Sequence, residues 1–125
     1  ALVHPLAEHK IACCFVDPTE ISDLNQINQE AIVILGGIRA PNTEQHLRKY
    51  FYDIPSLRER ITFASIEMGW TSHHPRDFWF REIEGKPTYV LAGSTRRETC
   101  QAVLDFIESK EFGRLIHYLI SRKEK

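Results

Sequence analysis

Hydrophobic positions in this chain fall into short runs separated by polar stretches with helical spacing. Ala31-Ile32-Val33-Ile34-Leu35 is apolar at successive positions, so it predicts a strand covered on both faces, as in the centre of a parallel sheet. Ile11 to Val16 predicts a second buried strand, ended by Asp17-Pro18. Ile61 to Met68 predicts a third, with Ile61, Phe63 and Ser65 alternating against Thr62, Ala64 and Ile66. The fourth follows the turn at Ile83-Glu84-Gly85-Lys86. Pro87 has no N–H and suits the start of a strand; Thr88, Tyr89 and Val90 are strong strand formers, and Gly93 closes the run. A proline before a buried strand is one of the few settings for a cis peptide, so Lys86–Pro87 is expected to be cis.

The intervening stretches have helical spacing. Thr19 can cap a helix to about Gln29, with Ile21, Leu24 and Ile27 on one face. After a loop at Ile38 to Pro41, Asn42 or Thr43 caps a helix to about Tyr52, whose buried face is Leu47, Tyr50 and Phe51. Pro55 interrupts that pattern, and Ser56 to Arg60 adds a further helical turn. Ser94 or Thr95 opens a helix carrying Val103, Leu104, Phe106 and Ile107. Gly113 is expected to break or bend it before Leu115, Ile116, Leu119 and Ile120 resume the spacing. The first ten residues predict an entry segment or a short helix, and the chain from Ser121 or Arg122 a fraying tail. Phe78, Trp79 and Phe80, within Asp77 to Glu82, predict a helical turn packed on the sheet. Strands alternating with helices define an α/β class: a three-layer sandwich with a mostly parallel central sheet.

Composition narrows the function classes only a little. The 125 residues fit one domain with a real core, and 42% hydrophobic with 26% charged residues is ordinary for a globular protein. A formal net charge of −1 gives no basic excess for nucleic acid or an anionic membrane, and no apolar run reaches the length of a membrane span. The chain opens Ala1-Leu2-Val3 without an initiator Met, so it is expected to be a processed product or a domain excised from a larger protein, and its compartment, cytoplasmic or periplasmic, is open.

The candidate chemistry is sparse. Cys13, Cys14 and Cys100 form no C-x-x-C, and the adjacent pair in an apolar run predicts buried structural thiols; a thiol enzyme using Cys14 is the competing reading. Adjacent His73-His74 has no partner at metal-binding spacing, so no metal and no cofactor is expected. Gly36-Gly37 after a buried strand, and Gly93-Ser94-Thr95-Arg96-Arg97 at a strand-to-helix turn, could hold a phosphate with backbone N–H groups, hydroxyls and Arg96; neither carries a nucleotide-binding motif. Trp70, Arg76, Trp79, Phe80 and Arg81 join aromatic and cationic residues of the kind that dominate protein interfaces, in a long connection, and are the expected partner-binding surface.

The order of elements, with a proline before a short strand and a closing helix, resembles the thioredoxin-like fold over about residues 11–108. That resemblance assigns Pro87 to the family's cis-proline. Two departures stand out: no dithiol opens a helix at Asp17-Pro18-Thr19-Glu20 or Gly37-Ile38-Arg39-Ala40, and helix follows Gly93 where a further antiparallel strand is usual. Ala31 to Ile38 and the segment from Pro75-Arg76-Asp77-Phe78-Trp79-Phe80 to Pro87 are also similar to the type-F conjugative pilin-assembly (TrbC-like) proteins. This likeness implies an envelope secretion-system component without thiol chemistry. The expectation is one thioredoxin-like domain spanning 1–125 that acts as a non-catalytic protein-interaction or assembly module. The alternative is a nucleotide- or phosphate-binding domain or enzyme built on the Gly36-Gly37 and Gly93 to Arg97 loops.

Overall fold

In a computed structural model, residues 3–14, 23–35, 41–62 and 75–123 are described. They form helix α1 (Val3–Glu8), a 3-10 turn (Leu24–Gln26), strand β1 (Ile32–Leu35), helices α2 (Pro41–Phe51) and α3 (Pro55–Thr62), strands β2 (Arg76–Ile83) and β3 (Lys86–Gly93), and helices α4 (Arg96–Ile107) and α5 (Lys110–Lys123). Helices α2 and α3 both open on proline, whose fixed φ suits the first turn and whose missing N–H is not needed there. In α2, Glu44 lies in the first turn and Arg48 and Lys49 in the last, matching the helix dipole. Thr95 caps α4 in an extended conformation, its Oγ1 accepting from the Glu98 N–H at 3.1 Å. The break before α5 falls at Glu108–Ser109, where Ser109 N–H and Oγ–H both donate to the Phe106 carbonyl. Gly113 lies inside α5, so the expected break there moves four residues upstream.

The described strands form one sheet in the order β1-β3-β2. It is mixed, not mostly parallel: β1 runs parallel to β3, with Ile32 opposite Thr88, and β2 runs antiparallel to it, with Trp79 opposite Val90. The antiparallel pair arises because Asp77 to Glu82 is strand and not the expected helical turn. Phe78, Trp79 and Phe80 are all good strand formers, and a two-residue turn at Glu84-Gly85 folds them back onto β3. Both turn residues have positive φ, 49° and 82°, the type I′ geometry whose twist matches paired strands.

That tight turn also bears on Pro87, because the Lys86–Pro87 bond is trans, contrary to expectation. The closing pair of a two-residue hairpin, Ile83 with Lys86, exchanges the ladder hydrogen bonds, which makes Glu82 with Pro87 a non-bonded pair. The proline nitrogen therefore points toward the β1 side, where pairing begins only at Thr88. Its missing N–H costs the sheet nothing, and a trans bond serves.

Alternation along β3 divides the core in two. Val90 and Ala92 pack with Ile32, Leu47, Phe51, Leu57, Ile61, Trp79 and Ile83, under α2 and α3. Tyr89 and Leu91 pack with Leu6, Val103, Phe106, Phe112, Leu115 and Ile116, under α4 and α5. The described part is thus a mixed α/β fold with helices packed on both faces of a sheet whose middle strand is β3. Gly93 is required by this packing. A Cβ there would lie 2.5 Å from backbone atoms of Glu98 and Thr99, so only glycine lets α4 start so close to the strand.

Other expectations change. Ile61 and Thr62 end α3 instead of starting a strand, since the Leu57–Ile61 spacing belongs to a helical face; Phe63 to Met68 lie outside the described residues. Ile11 to Cys14 pairs with no strand among the described residues, and Phe15 and Val16 lie outside them. The helix expected from Thr19 to Gln29 is, in its described part, one 3-10 turn, with Asp23 held by Lys49 and Tyr50 of α2. In β1, Leu35 at the end of the strand is exposed instead of buried, while Ile32 at its start is core.

Candidate functional site

Of the expected surface of Trp70, Arg76, Trp79, Phe80 and Arg81, the four described residues do not share one face. Side chains alternate along β2, so Arg76, Phe78, Phe80 and Glu82 face α4 and α5 while Asp77, Trp79, Arg81 and Ile83 face α2 and α3. Trp79 is core: it is 7% exposed, and its Nε1–H donates to Ser56 Oγ of α3 at 2.8 Å. Arg81 binds Asp53 through Nη2 at 2.8 Å and donates to the Tyr50 carbonyl at 3.0 Å. On the opposite face, Arg76 Nε donates to Asp105 at 2.7 Å and Nη1 reaches both Glu98 oxygens at 3.3 Å. Both arginines thus tie the hairpin to the helices beside it. Trp70 lies outside the described residues.

Phe80 is different. Its ring is 44% exposed and rests on Tyr89 of β3, with centroids 4.9 Å apart and planes tilted by 35°. Around it opens a groove of about 180 Å³ between the hairpin and α5. Pro87, Tyr89 and Leu115 form its apolar floor; Phe80 and Glu82 stand on the β2 side, and Glu111, Arg114 and Tyr118 on the helix side. Arg114 is held by Glu111 at 2.8 Å. Burial, reinforced by the Glu111 charge and opposed by Arg114, pushes the Tyr89 phenol up to about 12, so its ring stays neutral. Of these residues the sequence pattern singles out only Phe80. The signal for Glu82 is the shared phase with Phe80 along β2, and Pro87 and Tyr89 follow as their cross-strand partners once the Glu84-Gly85 turn makes the segment a hairpin.

Of the expected phosphate loops only one is described. Gly36 and Gly37 lie outside the described residues. At the β3–α4 turn, Ser94 N–H donates to the Pro75 carbonyl at 2.8 Å and Thr95 Oγ1 is occupied by the helix cap, while Arg96 and Arg97 are exposed. Among the described residues no three His, Cys, Asp or Glu side chains gather as a metal site, and no helix is long and apolar enough to cross a membrane. His73 and His74 lie outside them. The thiols are not all buried as expected: Cys13 is half-buried, with its pKa raised by burial and then by Cys14, but Cys14 is exposed and accepts from Gln29 at 3.5 Å.

No family model, curated protein or solved structure matches the chain.

Proposed function

We propose that the protein is a non-catalytic interaction module whose α/β scaffold holds a segment of a partner protein in the Phe80 groove. One observation carries this reading: the half-open Phe80 ring, packed against Tyr89 across the hairpin in a concave setting. Leu35 and Leu104 are as exposed, but isolated apolar side chains are normal on a protein surface. An aromatic ring with a packed inner face and a free outer face is an anchor that loses little entropy on binding. The groove volume lies below the roughly 300–1,000 Å³ of small-molecule sites, which favours one inserted side chain over a cofactor.

A finer reading makes the domain thioredoxin-like and a component of an assembly or conjugative secretion apparatus. Helices on both sheet faces and an antiparallel hairpin that includes the Pro87 strand support it. The trans bond at Pro87 and the central place of the last strand depart from it.

The test is selection of peptides from a random display library on the wild-type chain, followed by affinity measurement on Phe80→Ala. Loss of about 2 kcal/mol or more, roughly thirtyfold, with unchanged circular dichroism is the expected result. Selected peptides that bind Phe80→Ala as tightly as the wild type would overturn the proposal.

A further inference from the structure

The Phe80 groove has a chemistry that selects among anchors. Resting on the interaction reading of that groove, we infer that it takes the guanidinium of an arginine presented by the partner protein.

The first ground is charge. Two carboxylates, Glu82 and Glu111, and one guanidinium, Arg114, line the groove, and Arg114 is paired with Glu111. Glu82 is exposed and has no ion-pair partner among the described residues. An uncompensated carboxylate therefore stands at the β2 wall.

The second ground is geometry. Phe80 and Glu82 lie two residues apart on one face of β2, about 7 Å along the strand. Tyr89 covers the inner side of the Phe80 ring, which leaves an outer π-face beside the free carboxylate. A planar guanidinium can stack on that face while its N–H fork reaches Glu82, whereas a lysine ammonium offers a point charge without a stacking plane. The chain itself uses this pairing, with Arg48 over Tyr52 and, on the helix side of the groove, Arg122 (paired with Glu30) over Tyr118, each 5.4 Å from the ring centroid.

The test is an NMR titration of the 125-residue chain with two blocked tripeptides, acetyl-Gly-Arg-Gly-amide and the same peptide with citrulline, a neutral planar isostere. The arginine peptide should shift the Phe80, Glu82 and Tyr118 resonances saturably, and the citrulline peptide much less. Glu82→Gln, which keeps the ring and the shape, should weaken the arginine peptide about fivefold, the reach of a surface charge pair, and leave the citrulline peptide unchanged. Equal shifts from both peptides, or no effect of Glu82→Gln, would overturn the arginine assignment and leave the groove reading standing. Absence of any shift at Phe80 with either peptide would likewise overturn the arginine assignment, while the groove reading falls only if the display-selected peptides bind Phe80→Ala as tightly as the wild type.

Discussion

Single positions in this protein take their meaning from which face of a strand they occupy. Trp79 and Phe80 are neighbours in sequence, yet one is core and the other surface. Trp79→Ala should therefore cost about 3–5 kcal/mol in chemical denaturation, while Ser56→Ala, which removes only the acceptor of the indole N–H, should cost about 1 kcal/mol. The glycines separate similarly. Gly93→Ala must push against the backbone of α4 and should cost about 1–3 kcal/mol or more. Gly85→Ala meets no neighbour within 4 Å, so it should cost only the strain of a positive φ, about 1–2 kcal/mol. Tyr89 adds an alkaline signature. Its phenol is pushed up to about 12, above the ordinary value near 10, so the folded state holds its proton more tightly than the unfolded state. The resulting stability is fully present below about pH 10 and is lost as pH rises toward about 12. Melting temperatures at about pH 9 and about pH 11 should differ more for the wild type than for Tyr89→Phe.

At the scale of elements, the hairpin is fastened to a different helix layer on each face. Arg76 reaches Asp105 and Glu98 of α4, and Arg81 reaches Asp53 between α2 and α3. The hydrogen bond from Arg76 holds the Asp105 carboxyl below its ordinary pKa, so the pair contributes at neutral pH and fades as pH falls through that lowered value. Asp105 is 41% exposed, which limits the effect to less than about 1 kcal/mol. Asp105→Asn should narrow the difference between wild-type stability at neutral pH and at about pH 3 by that amount. These fastenings also explain what is legible in the sequence. β1, α2 and the Thr95 start of α4 are readable because each carries a local signal: an apolar run, helical spacing beyond a proline, a capping residue. β2 is not. Phe78-Trp79-Phe80 is apolar throughout, and a short apolar run has no period to separate strand from helix until its pairing partner is known. The groove is hidden for the same reason, since its walls come from β2 and from α5, far apart in the chain. Arg76 and Arg81 read as a binding surface in the sequence because their carboxylate partners lie on other elements.

For the whole molecule, β3 is the middle strand of the described sheet and packs into the core on both of its faces. Its β2 partner is joined to it by a two-residue turn, whereas its β1 partner lies on the far side of α2, α3 and β2 in sequence. Loop closure makes the distant pairing the slower one. The hairpin with α4 should form the folding nucleus, and β1 should dock afterwards. Conservative substitutions such as Val90→Ala should slow refolding with φ-values of about 0.5 or above, and Ile32→Val should mainly speed unfolding. The same central position has a consequence for the chain before it folds. Thr88-Tyr89-Val90-Leu91-Ala92 is uncharged, rich in strand formers and almost wholly hidden in the native state, the profile of a segment that seeds intermolecular β-assembly when bare. It is bracketed by Lys86-Pro87 on one side and Arg96-Arg97 on the other, the residue types that interrupt such assembly. Pro87 then serves less as a hinge of the fold than as a guard on the nascent chain. Pro87→Thr, which fits the strand, should leave the folded protein intact yet raise light scattering during refolding from denaturant at high protein concentration.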